Sequence, residues 1–354
     1  MSDPVNDVII VRADALRSFC AAMFEKTGMK PEEAFVNADN LVDADLKGID
    51  SHGTSRLPLY LKRIRLGIVR SNFELKLVSE RLSAATVDAC NSMGAYVSRQ
   101  AMEMAMNKAA QTGIAMVSVG NSNHNGTAGY YAEMALGRGM IGLAATNSKA
   151  RMAPWGGRDV YLGTNPLAVA IPAGRRLPVV ADLATSIVAR GKLVVAAKKK
   201  QPIPPGWALN KEGEPTTDPA EGVLGSVMPA AGPKGSAIAL VIDVLSAVLS
   251  GSLFGPHVRD LYTDFDQPAC VSHVFAAINI EAFTSLERFR GEMDRMITEI
   301  KNSRPAKGVP EIFLPGEIEL RRREKWLKEG IPMAAAIVKE LQQEGEQYGV
   351  KFPG

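Results

Sequence analysis

Two of the four histidines lie in polar loops that are rich in small residues. His52 belongs to the segment DSHG, and His124 belongs to GNSNHNG. The second segment follows a predicted buried strand, 114–119, and ligands of α/β proteins bind at the carboxyl ends of strands. An imidazole placed there can exchange a proton near neutral pH. A hydrogen-bonded structural role is the alternative for each, and it is the interpretation we keep for His257 and His273.

An arginine follows the first of these histidines by four residues. If the loop enters a helix at that point, Arg56 and His52 face the same side. The planar guanidinium matches both oxygens of a carboxylate. The two interpretations of Arg56 are therefore an anchor for a substrate carboxylate and a surface ion pair.

Several turns rich in Gly, Ser or Thr are suited to phosphate groups. They are LGTNP at 162–166, DLATS at 182–186, the turn GPKG with Lys234, and LPGE at 314–317. Glycine permits close approach to a ligand, and hydroxyl groups at a helix N-terminus favour anions. Each turn alone is equally well explained as a tight turn, a helix cap or an acidic residue that answers the helix dipole.

Composition limits the class of protein. With 354 residues, 46% hydrophobic and 22% charged, the chain predicts about two globular domains. The net charge is only +3 and the basic residues are interspersed with acidic ones, so no nucleic-acid surface is expected. The basic run 198–200 is either a solvated helix end or a phosphate contact. The cysteines predict free thiols; they are Cys20, Cys90 and Cys270. No signal peptide is recognisable and the apolar stretch 237–249 is too short for a bilayer, so we expect a cytoplasmic protein without membrane contact.

Hydrophobic periodicity predicts an α/β protein. The predicted strands are 75–78, 84–87, 114–119, 141–146, 167–171 and 179–182. The predicted helices are 31–47, 58–66, 93–111, 130–136, 187–197, 236–249, 281–301 and 317–346, with a long connection at 201–235. Both ends are helical, which predicts a discontinuous helical domain (1–75 and 285–354) around a central α/β domain (76–284).

Motif absences narrow the chemistry further. The sequence contains no G-x-G-x-x-G after a strand, no Walker A motif, no H-E-x-x-H or C-x-x-C metal spacing, and no G-x-S-x-G. These absences argue against an ordinary Rossmann domain, a metal site and an α/β-hydrolase. The residues alone therefore indicate an α/β enzyme with two candidate histidines.

Taken together, the segments resemble the malate/L-lactate dehydrogenase family, which includes ureidoglycolate dehydrogenases, diketogulonate reductases and piperideine-carboxylate reductases. The matching segments run from ADLKGIDSHG to LPGE and include SNH, GTNP, DLATS, ARGK, PPGWA, TTDP and GPKG. The resemblance covers most of the chain. It departs from the family pattern at Asn210 and at residues 236–238, which follow Lys234.

The resemblance implies hydride transfer between NAD(P)H and a small 2-oxo or 2-hydroxy acid, on a non-Rossmann α/β fold that is typically a homodimer. By motif position His52 is the general acid, with Ser51 and Asp182 orienting it, and His124 matches the acid/base of other members. Arg56 is the carboxylate anchor. The cofactor positions implied are Ser148, Thr164, Asn165, Pro166, Asp182, Leu183, Ala184, Lys234, Pro315, Gly316 and Glu317.

Three alternatives remain at this stage. One is reduction of a cyclic imino acid, another is a non-catalytic nucleotide-binding scaffold, and the third is a cofactor-free lyase or isomerase. NAD is favoured over NADP because no arginine pair indicates a 2′-phosphate site, although the basic run 198–200 leaves NADP possible. No metal is expected, because the cofactor supplies the redox chemistry.

Overall fold

The computed structural model describes residues 8–353 and contains twelve strands and eleven α-helices within them. The strands are β1 (Val8–Val11), β2 (Lys76–Glu80), β3 (Ala84–Asp88), β4 (Ile114–Ser122), β5 (Met140–Thr146), β6 (Leu167–Ile171), β7 (Val179–Leu183), β8 (Ala208–Leu209), β9 (Pro215–Thr216), β10 (Ser226–Val227), β11 (Val271–Asn279) and β12 (Ile331–Ala334). The helices are α1 (Ala13–Glu25), α2 (Pro31–Leu46), α3 (Leu57–Arg65), α4 (Gly94–Thr112), α5 (Ala128–Ala132), α6 (Arg190–Lys199), α7 (Pro219–Leu224), α8 (Pro233–Asp243), α9 (Leu286–Asn302), α10 (Glu317–Glu329) and α11 (Ala335–Tyr348).

A seven-stranded mixed sheet forms the centre of the molecule. Its strand order is β2-β3-β4-β11-β5-β6-β7, and every pair is antiparallel except β3 and β4. A Rossmann domain has a mostly parallel sheet, whereas this sheet is mostly antiparallel. The strand directions therefore differ from those of a Rossmann domain, as expected. The chain has a mixed α/β fold.

The carboxyl ends of β4, β5 and β7 lie along one edge of the sheet. Because β11 is antiparallel to both β4 and β5, and β6 is antiparallel to both β5 and β7, these three strands run in the same direction. The loops that leave them therefore start side by side. His124 and Ser148 lie in two of these loops, Asp182 and Leu183 are the last residues of β7, and Ala184 follows them.

Helices α4 and α5 cover one face of this sheet with small apolar side chains. Ala101, Ala105 and Ala109 of α4 pack with Val117 and Val119 of β4 in a single buried cluster. The i, i+4 spacing of the alanines places them on one face of the helix, and their small size allows close approach to the sheet.

A second core joins the two ends of the chain. Leu16 of α1, Leu41 of α2 and Leu61 of α3 are fully buried together with Ile331 and Leu341 from the C-terminal segment. Strand β1 also pairs antiparallel with β12. We propose that these segments are the discontinuous helical domain expected from the sequence.

The prediction of one terminal helix, 317–346, was wrong. Helix α10 ends at Glu329 because Gly330 has a φ of +93°, which favours glycine, and Pro332 lacks the amide hydrogen that a helix needs. The following residues form β12 instead. The N-terminal strand β1 was also missed, since its pairing partner lies more than 300 residues away in the sequence.

The central strand β11 was missed as well, and the helix predicted at 281–301 begins later, at Leu286, after a side-chain cap by Ser285. The connection 201–235 contains the small sheet β10-β8-β9 and helix α7. The helix predicted at 187–197 begins at Arg190, and the one predicted at 236–249 is α8 followed by a π-helical segment, Val244–Val248. The other predicted elements are confirmed within a few residues.

No helix among residues 8–353 is both long enough and apolar enough to cross a membrane.

Candidate active site

A cavity of about 770 Å³ lies where the carboxyl ends of β4, β5 and β7 meet the helical segments. This size is in the range of small-molecule and cofactor sites. The wall from the central sheet includes His124, Ser148 and Asp182, and the wall from the helical segments includes His52 and Pro315. Residues far apart in the sequence therefore face one space.

The buried carboxyl group of Asp45 holds the loop that carries His52 in place. Oδ2 of Asp45 accepts hydrogen bonds from the Thr54 amide at 2.9 Å and from the Thr54 hydroxyl at 2.6 Å. A Cβ at Gly53 would lie 1.6 Å from Asp45 Oδ1, so a residue without a side chain is required there. Burial raises the pKa of Asp45 to about 7, although the two Thr54 hydrogen bonds oppose this shift.

His52 and His124 lie next to one another in the cavity wall. Their ring centroids are 5.5 Å apart and the rings are tilted by 30°. Nδ1 of His52 lies 2.9 Å from the hydroxyl oxygen of Ser51, which is exposed. Because a serine hydroxyl can donate or accept, this contact can accompany either protonation state of His52.

His124 is held in one tautomer by its surroundings. The Gly126 amide donates to His124 Nδ1 at 3.2 Å, so this nitrogen carries no proton, and the Tyr60 hydroxyl at 2.6 Å donates to it as well. The proton of neutral His124 is therefore on Nε2. Tyr60 was not among the residues expected in the site, although it follows Arg56 by four positions and so lies on the same helix face.

Both histidines are neutral near pH 7. Burial lowers the pKa of His52 to about 4, and the positive charge of Arg56 contributes to this shift. Burial also lowers the pKa of His124 well below its ordinary value, with further contributions from His52 and Arg56.

Arg56 lies beside His52 and leaves most of its guanidinium free. Its Nε donates to the Ser51 carbonyl at 2.5 Å, and its Cζ lies 4.9 Å from the centre of the Tyr262 ring. Among residues 8–353 no carboxylate pairs with it. A cation that stacks on an aromatic ring and has unpaired N–H groups is suited to a planar carboxylate.

Most of the expected cofactor positions line the cavity: Ser148, Thr164, Pro166, Asp182, Leu183, Ala184, Pro315 and Gly316. Two backbone segments form the wall here, because the Val180 amide donates to the Pro315 carbonyl at 3.0 Å. Gly316 has a φ of +81°, and a Cβ there would lie 2.7 Å from the Val180 carbonyl oxygen. This close approach needs glycine.

The wall fits a cofactor with ribose and phosphate groups. Thr127 lines the cavity, and its hydroxyl has no hydrogen-bond partner among the described residues. Buried polar groups are normally hydrogen-bonded, so this hydroxyl is suited to a bound ligand. Leu183, with 60% of its surface exposed, offers an apolar contact for a ring.

Five expected residues are not part of the cavity wall, and Arg56, described above, is one of them. Asn165 is fully buried and donates to the Ala239 carbonyl, while its Oδ1 accepts from the Ser148 amide at 3.0 Å. Lys234 is exposed in the first turn of α8. Glu317 pairs with Lys301 at 2.7 Å and also with Arg321, and Ser51 touches the site only through His52. The lysine run 198–200 does not line the cavity either.

Asp182 contacts the central domain and not His52. Its Oδ2 accepts from the Gly129 amide at 2.8 Å, and among the described residues it has no hydrogen bond to His52. Its position instead fixes the start of α5 relative to β7. No direct contact in this structure therefore supports the expected orientation of His52 by Asp182.

Sequence reasoning missed a buried lysine in the cavity wall. Lys47 Nζ lies 2.7 Å from Asp43 and 2.6 Å from Glu133. Burial alone would lower the pKa of Lys47, but the two carboxylates outweigh it and raise the pKa. The residue occurs in the motif ADLKGIDSHG, yet nothing in the sequence pairs it with Glu133, which is 86 positions away.

His273 has the structural surroundings expected for it. It is fully buried, its Nε2 donates to the Asn123 carbonyl at 3.2 Å, and its Nδ1 lies 2.8 Å from the Thr146 hydroxyl. These contacts connect β11 with the loop that carries His124 and with the end of β5. Burial lowers the pKa of His273 to about 3.

This buried histidine makes the fold sensitive to acid. The unfolded chain binds a proton at His273 below about pH 6.5 whereas the folded protein does not, so stability falls as pH falls from about 6.5 toward 3. We expect this residue to contribute a loss of about 2 kcal/mol between pH 7 and pH 5. Urea unfolding of His273→Gln should show a pH dependence that is smaller by this amount, and His257→Gln, at an exposed position, is the matched control. Equal pH slopes in all three proteins would contradict the prediction.

Comparison with known proteins agrees with this geometry. A model of the malate/L-lactate dehydrogenase family matches residues 11–342. The L-sulfolactate dehydrogenase of Methanocaldococcus jannaschii is 39% identical, with 97% of this chain and 98% of that protein covered. The malate dehydrogenase of Pyrococcus abyssi is 42% identical over 98% of this chain and 97% of its own length. The solved sulfolactate dehydrogenase from M. jannaschii superposes with a TM-score of 0.91 at 38% identity, covering 97% and 98% of the two chains.

Relatives with either nicotinamide cofactor occur. The ureidoglycolate dehydrogenase (NAD(+)) of Escherichia coli K12 is 35% identical over 89% of this chain and 90% of its own length. The (2R)-3-sulfolactate dehydrogenase (NADP(+)) of Chromohalobacter salexigens is 36% identical, with coverages of 92% and 94%.

The chain belongs to the malate/L-lactate dehydrogenase family. It is an oxidoreductase that acts on 2-hydroxy acids with a nicotinamide cofactor, as the resemblance implied.

Proposed function

We propose that this enzyme interconverts a dianionic 2-hydroxy acid of the malate or sulfolactate type and its 2-oxo acid, with NAD as the preferred cofactor. The observation that carries the proposal is that His52 and His124 line one cavity whose other wall fits the cofactor, while Arg56 lies beside this cavity against the ring of Tyr262, which lines it. The most similar relatives reported above are named for malate or sulfolactate. The preference for NAD rests on the position of the lysine run 198–200, which lies away from the cavity.

Arg56 binds the substrate carboxylate in this proposal. Its free N–H groups form two parallel hydrogen bonds with the carboxylate oxygens, which fixes C2 of the substrate relative to the cofactor wall. The nicotinamide, when bound, supplies or accepts the hydride at C2. The cofactor contacts that we propose are Ser148, Thr164, Pro166, Asp182, Leu183, Ala184, Pro315 and Gly316. Asn165 supports this wall from behind, and Glu317 fixes the turn before α10 by accepting from the Leu314 amide at 3.1 Å.

The two histidines have different parts in the proposal. His52 transfers the proton, because its contact with Ser51 accommodates both protonation states. His124 donates a hydrogen bond from Nε2 to the substrate oxygen, because Gly126 and Tyr60 both donate to its Nδ1. Negative charge develops on that oxygen during reduction, and a fixed donor stabilises it.

Substrate binding controls the charge of His52. The pKa of His52 is lowered by burial and by Arg56. A substrate carboxylate on Arg56 neutralises the second cause, so the pKa of His52 rises when the substrate is present. The protonated form needed for reduction is thus favoured in the complex.

A homodimer is proposed on a separate observation. Residues of α8 and the π-helical segment present an apolar stripe with i, i+3, i+7 and i+10 spacing; they are Ile238, Val241, Leu245 and Val248, with 46%, 54%, 36% and 52% of their surface exposed. Exposed apolar stripes of this kind are typical of protein interfaces. Sedimentation equilibrium at micromolar concentration distinguishes the proposed dimer from a monomer.

The proposed function is tested by fluorescence titration with NADH and with NADPH, together with turnover of a panel that contains oxaloacetate, 3-sulfopyruvate, pyruvate and a cyclic imino acid. We expect saturable binding of NADH and the highest kcat/KM with a dianionic 2-oxo acid. Turnover of the imino acid alone would replace the proposed substrate class. No binding of either cofactor would contradict the dehydrogenase function and favour a scaffold, or a lyase that needs no cofactor.

A further inference from the structure

Four cationic side chains line the cavity, and two of them are already paired with carboxylates. Lys47 contacts Asp43 and Glu133, and Arg151 forms an ion pair with Asp260. Lys149 has a single long contact, 3.4 Å to the Pro256 carbonyl. Within residues 8–353 the fourth, Arg259, has no carboxylate at ion-pair distance and no hydrogen bond from its guanidinium.

The segment that carries Arg259 is held rigidly. The turn Asp260–Asp264 is closed internally, since the Tyr262 amide donates to Asp260 Oδ1 at 2.8 Å and the Asp260 amide donates to Asp264 Oδ2 at 2.7 Å. The Arg259 amide donates to the Ala269 carbonyl at 3.2 Å. A cationic side chain on a rigid backbone can contribute to selectivity because little order is gained when the ligand binds.

Arg63 connects this segment to α3, the helix that directly follows Arg56. Its side chain is almost fully buried, with 1% of its surface exposed, and it donates to the carbonyl oxygens of Leu261 at 3.1 Å and Asp264 at 2.8 Å. Arg63 and Arg56 both belong to the segment around α3, which explains how the Tyr262 ring comes to lie against the Arg56 guanidinium.

Arg259 is three residues before Tyr262, and the ring of Tyr262 contacts Arg56, the proposed carboxylate anchor. Arg259, Tyr262, His52 and His124 all face the same cavity. Lys149 is instead adjacent in sequence to Ser148, which is one of the proposed cofactor contacts. The two cations without carboxylate partners are thus divided between the two parts of the cavity.

We propose that Arg259 binds the second anionic group of the substrate, a carboxylate or sulfonate on C3, and so selects dianionic 2-oxo acids over pyruvate. This inference rests on the proposed function. Arg56 binds the carboxylate next to C2, and Arg259 binds the group at the other end of the molecule. A substrate with a methyl group at C3 has no partner for Arg259 and leaves its charge uncompensated in the cavity.

The test compares Arg259→Met and Arg259→Lys with the wild type. For Arg259→Met we expect kcat/KM for oxaloacetate and 3-sulfopyruvate to fall about 100-fold, because a charge-assisted hydrogen-bonded pair is lost. The value for pyruvate should change less than about threefold, so the preference for dianionic substrates collapses. Arg259→Lys should fall between the two, since it keeps the charge but not the planar fork. Arg304→Met is the matched control, as it removes an exposed positive charge from the loop after α9.

Several outcomes overturn this inference while the proposed function stands. They are an equal loss for oxaloacetate and pyruvate, an unchanged selectivity ratio, and a wild-type enzyme that prefers pyruvate. A rise in the Kd of NADH for Arg259→Met that accounts for the whole loss would also overturn it, because Arg259 would then contact the cofactor. If the wild type neither binds a nicotinamide cofactor nor turns over any 2-oxo acid, the proposed function itself fails.

Discussion

Replacement of His52 with asparagine is expected to lower kcat for the preferred 2-oxo acid by about 10²–10⁴-fold, with the affinity for the nicotinamide cofactor retained. Asparagine fills similar space and can form a hydrogen bond, but it cannot deliver a proton. Steady-state kinetics and a fluorescence titration with NADH measure the two quantities separately. His257→Asn is the matched control, because His257 is exposed and contacts Phe254 outside the cavity.

His124→Gln should have a smaller effect on kcat than His52→Asn. Glutamine keeps an N–H donor, and in our account His124 stabilises the substrate oxygen by hydrogen bonding and does not exchange its proton. A larger loss for His124→Gln than for His52→Asn would reverse the two roles.

The pH profile provides a second measure of the role of His52. Oxidation of the hydroxy acid needs a neutral base, and the pKa of His52 in the free site is about 4. We therefore expect kcat/KM for oxidation to decline only below about pH 5, at lower pH than for a histidine of ordinary pKa, near 6.5. A decline centred near pH 6.5 would contradict the predicted environment of His52.

Replacement of Arg56 with methionine is expected to lower kcat/KM by about 10²–10⁴-fold, mainly through KM. Two hydrogen bonds to a charged carboxylate contribute about 3–6 kcal/mol, and each 1.4 kcal/mol corresponds to a factor of ten. Arg56→Lys should lose about 10–100-fold, because it keeps the charge but loses the parallel pair of bonds. Arg65→Met on the exposed side of α3 is the control and should behave as wild type.

The Arg56 variant also has an electrostatic signature. The positive charge of Arg56 is one cause of the lowered pKa of His52. Removing this charge must raise the pKa of His52 toward its ordinary value, so the acid limb of the oxidation profile should move to higher pH in Arg56→Met. An Arg56→Met enzyme with unchanged KM and an unchanged profile would show that the substrate carboxylate binds elsewhere.

Local pattern was sufficient for the elements that surround the site. The acidic first turn after Pro31 predicted α2, and the apolar run from Ile114 predicted β4, which together position the two candidate histidines. Strand β11 was not predicted, although it lies between β4 and β5 at the centre of the sheet. Its pairing partners are more than 100 residues away, and no turn signal marks it as half of a hairpin.

The parts of the site that the sequence did not predict depend on long-range contacts. Tyr60 approaches His124 over 64 positions, and Arg63 binds carbonyl groups about 200 positions away. Conversely, Glu317 lies in a segment that matches the cofactor site by motif, but its carboxylate forms ion pairs with Lys301 and Arg321 and does not line the cavity. Motif position identifies a segment, whereas packing decides which atoms of the segment face the ligand.

The most direct test of the central claim is transfer of deuterium to the product of a 2-oxo acid from NADH that carries deuterium at both positions of the nicotinamide C4. Mass spectrometry and proton NMR locate the label. The account predicts one deuterium at C2 of the hydroxy acid in the wild-type reaction and at least a hundredfold slower label transfer with His52→Asn. Product that forms without deuterium at C2, or label transfer that is unaffected by His52→Asn, would contradict it.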